Sequence, residues 1–76
     1  MYTADRTLDA KGMRCPIPVL RASKELRMME SGEVLEILAS DGQAPRDFND
    51  FCKEGGHEIV VNEERDGLFL IVIRKG

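Results

Sequence analysis

With 76 residues, 42% of them hydrophobic and 33% charged, the chain has room for one modest core in a single domain spanning residues 1–76, and neither disorder nor a deep, enclosed active site is expected. Its net charge of −3, from 14 acidic and 11 basic residues, lacks the basic footprint that tight nucleic-acid binding requires, and one tyrosine and three phenylalanines offer little to stack on bases. No apolar run approaches the roughly 18 residues of a membrane helix, the first residues lack the pattern of a signal peptide, and the expectation is a cytoplasmic chain with reduced thiols and no structural disulfide.

The elements follow in chain order. Thr3 to Leu8 reads as a first strand on a weak signal, because only Leu8 is strongly apolar. Asp9 to Arg14 reads as a loop with Gly12 as its flexible point. A helix is expected from about Pro16, since proline is favoured in a first turn. Val19, Ala22, Leu26 and Met29 form one apolar stripe on it, while Arg21, Lys24, Glu25 and Arg27 occupy the opposite side. Ser31-Gly32 is expected to stop this helix, with Gly32 as a left-handed cap. Glu33 to Ala39 reads as a strand that points Leu35, Ile37 and Ala39 to one face. Asp41-Gly42 opens a second helix, with Pro45 in its first turn and Phe48, Phe51 and Cys52 on one side, and Gly55-Gly56 closes it. Glu58 to Asn62 is a third strand, Asp66-Gly67 is a hairpin turn, and Leu68 to Ile73 is a fourth strand.

The order βαβαββ predicts an α/β (α+β) two-layer sandwich. Helical crossovers join parallel strands and the last two strands form an antiparallel hairpin, so the four-stranded sheet is mixed, with both helices on one face. The last strand is apolar on both faces. Partial cover of its outer face by neighbouring side chains is expected, and a partner or dimer patch is the alternative.

The informative stretch is Gly12-Met13-Arg14-Cys15-Pro16-Ile17-Pro18. It sets a thiol directly before a helix start, where unpartnered N–H groups and the helix dipole favour negative charge. Pro16 and Pro18 fix the turn and remove two donors, leaving the N–H groups of Ile17 and Val19 to bond the sulfur. Arg14 and Lys11 add positive charge. These features predict a modestly lowered thiol pKa, with the helix start as its main cause. A lone cysteine near a loop is otherwise a small apolar residue, and Pro-x-Pro is otherwise a helix start.

The segment Leu8-Asp9-Ala10-Lys11-Gly12-Met13-Arg14-Cys15-Pro16-Ile17-Pro18 resembles the signature L-D-x-x-G-x-x-C-P-x-P of the TusA/SirA-like sulfur-carrier family. The similarity continues through Met29-Glu30-Ser31-Gly32-Glu33-Val34-Leu35, Phe51-Cys52, Gly56-His57-Glu58 and Ile73-Arg74-Lys75-Gly76, nearly the whole chain. The chain departs from many relatives in having Asp41-Gly42 where they have Asp-Pro. The resemblance implies a βαβαββ sandwich in which Cys15 accepts sulfane sulfur as a persulfide and relays it. Gly12, Arg14, Pro16 and Pro18 are the supporting motif residues. Donors in the family include cysteine desulfurases and rhodanese-like sulfurtransferases, and acceptors include DsrE-like proteins. The pathways are tRNA thiolation, oxidation of reduced sulfur compounds and molybdenum-cofactor biosynthesis. No cofactor is implied, and the chain acts as a co-substrate more than a self-contained enzyme.

Cys52, on the same side as Phe48 and Phe51, reads as core. Cys15, Cys52 and His57 match no zinc spacing, so no metal site is expected. The run Arg14, Arg21, Lys24 and Arg27 reads first as a solvated helix face, and Lys11, Arg21, Lys24 and Arg27 are the candidate docking residues. As a docking rim they would steer the chain onto acidic partners. A monomer is expected. The competing reading is a non-catalytic binding or regulatory module that uses the sheet face or this basic helix face.

Overall fold

A computed structural model describes residues 2–76. The elements run β1 (Arg6–Ala10), α1 (Ile17–Arg27), β2 (Val34–Ala39), α2 (Ala44–Gly55), β3 (Glu58–Arg65) and β4 (Leu68–Arg74). The sheet order is β1-β2-β4-β3. β1 runs parallel to β2, and β4 is antiparallel to both β2 and β3. The mixed four-stranded sheet is therefore the expected one, with β4 inserted between the strands that α2 connects.

Both helices cover one face of the sheet. Leu8, Ala10, Leu35, Ile37, Ala39, Ile71 and Ile73 point into the core from the strands, and Ala22, Leu26, Ala44, Phe48 and Cys52 meet them from the helices. Phe48 is the largest of the fully buried side chains. In α1 the stripe is Pro18, Ala22 and Leu26, followed by buried Met29 beyond the helix end. Pro18 is thus a core residue as well as a rigid link, and Val19 is only half-buried.

The boundaries differ from expectation where signals were weak. β1 begins at Arg6 and takes in Asp9 and Ala10, because Leu8 and Ala10 pair with Ile37 and Ala39 of β2. α1 ends at Arg27 with Met28 as a right-handed C-cap. Gly32 does have φ +91°, but it serves the later turn into β2, donating its N–H to the Lys75 carbonyl at 2.8 Å. β3 continues to Arg65, since Asn62, Glu63, Glu64 and Arg65 pair with β4 although they are exposed. Asp66 and Gly67 both have positive φ, 53° and 79°, the two-residue turn that a twisted hairpin favours.

On the outer face, Val72 is fully buried between Glu36 of β2 and Val61 of β3. Tyr2 reaches the same face, its hydroxyl donating to Glu36 Oε2 at 2.5 Å. Leu68, 40% exposed, lines a shallow recess with Leu38 and Leu70. Neighbouring side chains therefore cover the outer face of β4 fully at Val72, in part at Leu70, and leave Leu68 exposed.

Candidate functional site

Parallel β1 and β2 end side by side at the register pair Ala10 and Ala39. Both alanines are fully buried, so the loops that follow emerge together at one end of the sheet. The β1–α1 loop carries Gly12 to Pro16, and the β2–α2 turn carries Ser40 to Gln43. Gly12, at φ +81°, turns its N–H onto Ser40 Oγ at 2.8 Å. The Cys15 N–H donates to Asp41 Oδ2 at 2.6 Å, and the other Asp41 oxygen accepts the Gln43 N–H at 3.1 Å. The Cys15–Pro16 peptide is cis.

Cys15 is exposed on the ridge between two open recesses. One, about 490 Å³, is lined by the loop from Gly12 to Cys15 and by Ser40, Asp41 and Gly42. The other, about 260 Å³, lies between the helices, where Pro16, Val19 and Phe51 form the floor and Asp47, Asp50 and Glu54 the acidic wall. Those three carboxylates recur at i, i+3 and i+7 along α2, which places them on one side of it.

The electrostatics overturn the expected activation of the thiol. The Asp47 carboxylate, as a hydrogen-bond acceptor beside the thiol that favours its protonated form, is the largest influence raising the Cys15 pKa above its ordinary value. Partial desolvation and the negative charges of Asp47 and Asp41 add to the effect. The helix start does not offset them, for geometric reasons. α1 begins at Ile17, with Pro16 at the N-cap, so Cys15 lies one residue farther out. The Ile17 N–H, expected to face the sulfur, donates instead to the Arg14 carbonyl at 2.8 Å. Lys11 is paired with Asp9 at 3.1 Å, and the Arg14 charge acts on Asp41.

Asp41 itself is held below the ordinary carboxylate range, first by the Cys15 N–H, then by the Gln43 N–H and the Arg14 charge. Asp41, Asp47, Asp50 and Glu54 were not singled out from the sequence as site residues. The spacing of the last three was readable, but their proximity to Cys15 is a product of the fold.

The remaining residues separate. Cys52 is 3% exposed, and burial pushes its thiol up to about 11. His57 stacks near Phe51, ring centres 5.6 Å apart, and its Nδ1 accepts the Gly76 N–H at 3.0 Å. Among the described residues, no group of three or more metal-ligating side chains is placed to hold an ion.

Arg21 and Lys24 lie on the solvent side of α1 among Ile17, Leu20 and Met28. These three are 45%, 61% and 55% exposed, an apolar strip that begins two residues after the thiol. Arg27 is in the last turn of the same helix, and none of the three cations is in an ion pair among the described residues.

The family model described as "Sulfurtransferase TusA" matches residues 6–75. A Neisseria meningitidis protein is 48% identical over 68 residues, covering 90% of this chain and 92% of its own length. The sulfur carrier protein TusA of Allochromatium vinosum is 44% identical over 75 residues, 99% of each chain. The crystal structure of a SirA-like protein from Desulfitobacterium hafniense superposes with a TM-score of 0.83 at 32% identity, covering 93% of this chain and 97% of that one.

Proposed function

Because the chain belongs to the sulfurtransferase TusA family, we propose that it is a sulfur carrier that holds sulfane sulfur as a persulfide on Cys15. The observation that carries this reading is the exposed thiol on the ridge between two recesses, at the Cys15-Pro16-Ile17-Pro18 turn. The other cysteine is buried and out of a partner's reach.

The transfer is a thiol–persulfide exchange. Cys15, as the thiolate, attacks the outer sulfur of a donor Cys–S–SH. The donor S–S bond breaks as the Cys15 S–S bond forms, and the departing donor thiolate takes up the proton Cys15 has lost. No oxidant or reductant is consumed. A raised thiol pKa fits storage: the thiolate, once formed, is a stronger nucleophile and a poorer leaving group, so the sulfur stays on Cys15 until an acceptor thiol is positioned.

The donor is a cysteine desulfurase or rhodanese-like sulfurtransferase and the acceptor a DsrE-like protein. Their pathway is tRNA thiolation, sulfur oxidation or molybdenum-cofactor assembly. The chain acts as a monomeric, single-domain co-substrate in the cytoplasm. Its docking surface is the solvent side of α1. Ile17, Leu20 and Met28 supply apolar contact beside the thiol, and Arg21, Lys24 and Arg27, within a chain of net charge −3, select an acidic partner surface. Lys11 contributes less, since it is paired with Asp9.

The test is relay. Protein incubated with a cysteine desulfurase and cysteine should gain one sulfur atom and lose it to an added low-molecular-weight thiol. Cys15→Ser should neither gain nor deliver sulfur. Undiminished relay by folded Cys15→Ser would move the carrier role off Cys15, and wild-type protein that gains no sulfur would favour the reading as a non-catalytic binding module.

A further inference from the structure

We propose that Asp41 is the positioning residue of the carrier thiol: from the β2–α2 turn its carboxylate grips the Cys15 N–H and holds the β1–α1 loop in the shape that presents Sγ to a protein partner. This rests on the sulfur-carrier reading of Cys15.

An exposed side chain has no packing to fix its direction, and Cys15 is exposed. It also lies before α1, outside the helical hydrogen-bond ladder. The position from which it reaches out therefore depends on the backbone of the loop, with the Asp47 carboxylate as the side-chain neighbour that acts most on Sγ. At its start the Lys11 N–H donates to Asp9 Oδ1 at 3.0 Å, and from Gly12 to Ile17 four further bonds tie the loop down. Two are internal: the Met13 N–H donates to the Ala10 carbonyl at 3.2 Å, and the Ile17 N–H to the Arg14 carbonyl at 2.8 Å. The other two cross to the neighbouring turn, Gly12 to Ser40 and Cys15 to Asp41. Only the Asp41 bond acts on the backbone of Cys15 itself. At 2.6 Å it has the short length of a charge-assisted hydrogen bond.

The grip is firm because Asp41 is itself held. Its second carboxylate oxygen accepts the Gln43 N–H, and its carbonyl accepts the Ala44 N–H at 3.0 Å, which starts α2. The chemistry asks for a carboxylate. Two N–H groups approach two different oxygens, whereas an amide offers one oxygen and would turn an NH₂ group toward the other donor. The register explains the meeting. Ala10 and Ala39 are paired neighbours, so residues a few positions beyond each are brought together across a sequence separation of 26.

A misplaced reacting atom penalises a reaction between two proteins more than attack on a small reagent that approaches from any side. The experiment uses the full chain as Asp41→Ala and Asp41→Asn beside wild type. Sulfur loading of Cys15 is measured from a cysteine desulfurase with cysteine and, separately, from inorganic polysulfide. Cys52 alkylation by iodoacetamide reports the integrity of the fold.

In Asp41→Ala, loading from the desulfurase should fall by about tenfold or more, while polysulfide loading is retained and Cys52 stays protected. Asp41→Asn, which keeps one acceptor, should lie between Asp41→Ala and wild type. Desulfurase loading of Asp41→Ala at the wild-type rate overturns the proposal. So does a loss shared equally by polysulfide and accompanied by Cys52 alkylation, which would assign Asp41 to folding alone. Wild-type protein that takes no sulfur at Cys15 from either reagent overturns the carrier reading itself, a result distinct from both.

Discussion

Reversing Arg21 and Lys24 to Glu takes the net charge from −3 to −7 and places the change on the side of α1 that carries Ile17, Leu20 and Met28. If that side docks an acidic sulfur donor, steering is lost, and the association rate should fall by about tenfold at low salt. The Debye length shrinks from about 10 Å at 0.1 M to about 3 Å at 1 M, so high salt should erase the difference. Leu20→Ala should behave in the opposite way. Leu20 is 61% exposed, and covering it removes roughly 100 Å² of apolar surface from water, worth about 2.5 kcal/mol at 25 cal/mol/Å². Truncation to alanine should forfeit about half of that, roughly a tenfold loss of affinity. The apolar loss should persist in high salt, because it is not a charge interaction. Stopped-flow or surface-based binding to a cysteine desulfurase, at several salt concentrations, reads both. Wild-type association by the double reversal at low salt, together with wild-type affinity of Leu20→Ala, would show that this side of α1 is only a solvated face.

Asp47→Asn should lower the pH midpoint of Cys15 alkylation, because the leading cause of the raised thiol pKa is the Asp47 carboxylate; an unmoved midpoint would remove Asp47 from the site. Cys52→Ala should keep sulfur loading and lose about 1 kcal/mol of stability in denaturant melts, as expected for truncating a small buried side chain. In the folded wild type, iodoacetamide at neutral pH should spare Cys52, whose thiol is buried and titrates at about 11. Asp41 has a depressed pKa, so its stabilising contribution is complete above the ordinary carboxylate value of about 3.9 and is lost as pH falls through the lower folded value. The acid-induced fall in thermal midpoint should therefore be smaller in Asp41→Asn than in wild type. An equal fall would show that the carboxylate bonds do not contribute.

The fold was legible where side chains repeat with a strong period. The α1 stripe through Ala22 and Leu26 and the inward set Leu35, Ile37 and Ala39 are all core, and together they dictate which faces meet. Legibility failed at the edges. Asp9 reads as loop because it is polar, yet strand pairing at Leu8 and Ala10 carries it into β1. The run Asn62-Glu63-Glu64-Arg65 lacks apolar residues because that part of β3 is exposed, so its ladder with β4 leaves no mark in composition.

The site was legible only as far as its local chemistry. Cys15 and the two prolines are contiguous, and their motif is visible in one dimension. Asp41 and Asp47 reach Cys15 through the pairing of β1 with β2 and the placement of α2. No local pattern announces a contact across 26 positions. The sequence therefore predicted a thiol activated by its helix. In the structure the Ile17 N–H is turned away to the Arg14 carbonyl, and the carboxylates of Asp47 and Asp41 act on the thiol instead.

The central claim is that the sulfur rides on Cys15. Its most direct measurement is peptide mapping by mass spectrometry of the chain after incubation with a cysteine desulfurase and cysteine, with alkylation to trap persulfides. The expected result is one extra sulfur atom on the peptide containing Cys15, removed by reductant and absent from Cys15→Ser, with an unmodified Cys52 peptide. Extra sulfur on the Cys52 peptide alone, or on neither peptide while a control carrier is loaded, would contradict the assignment.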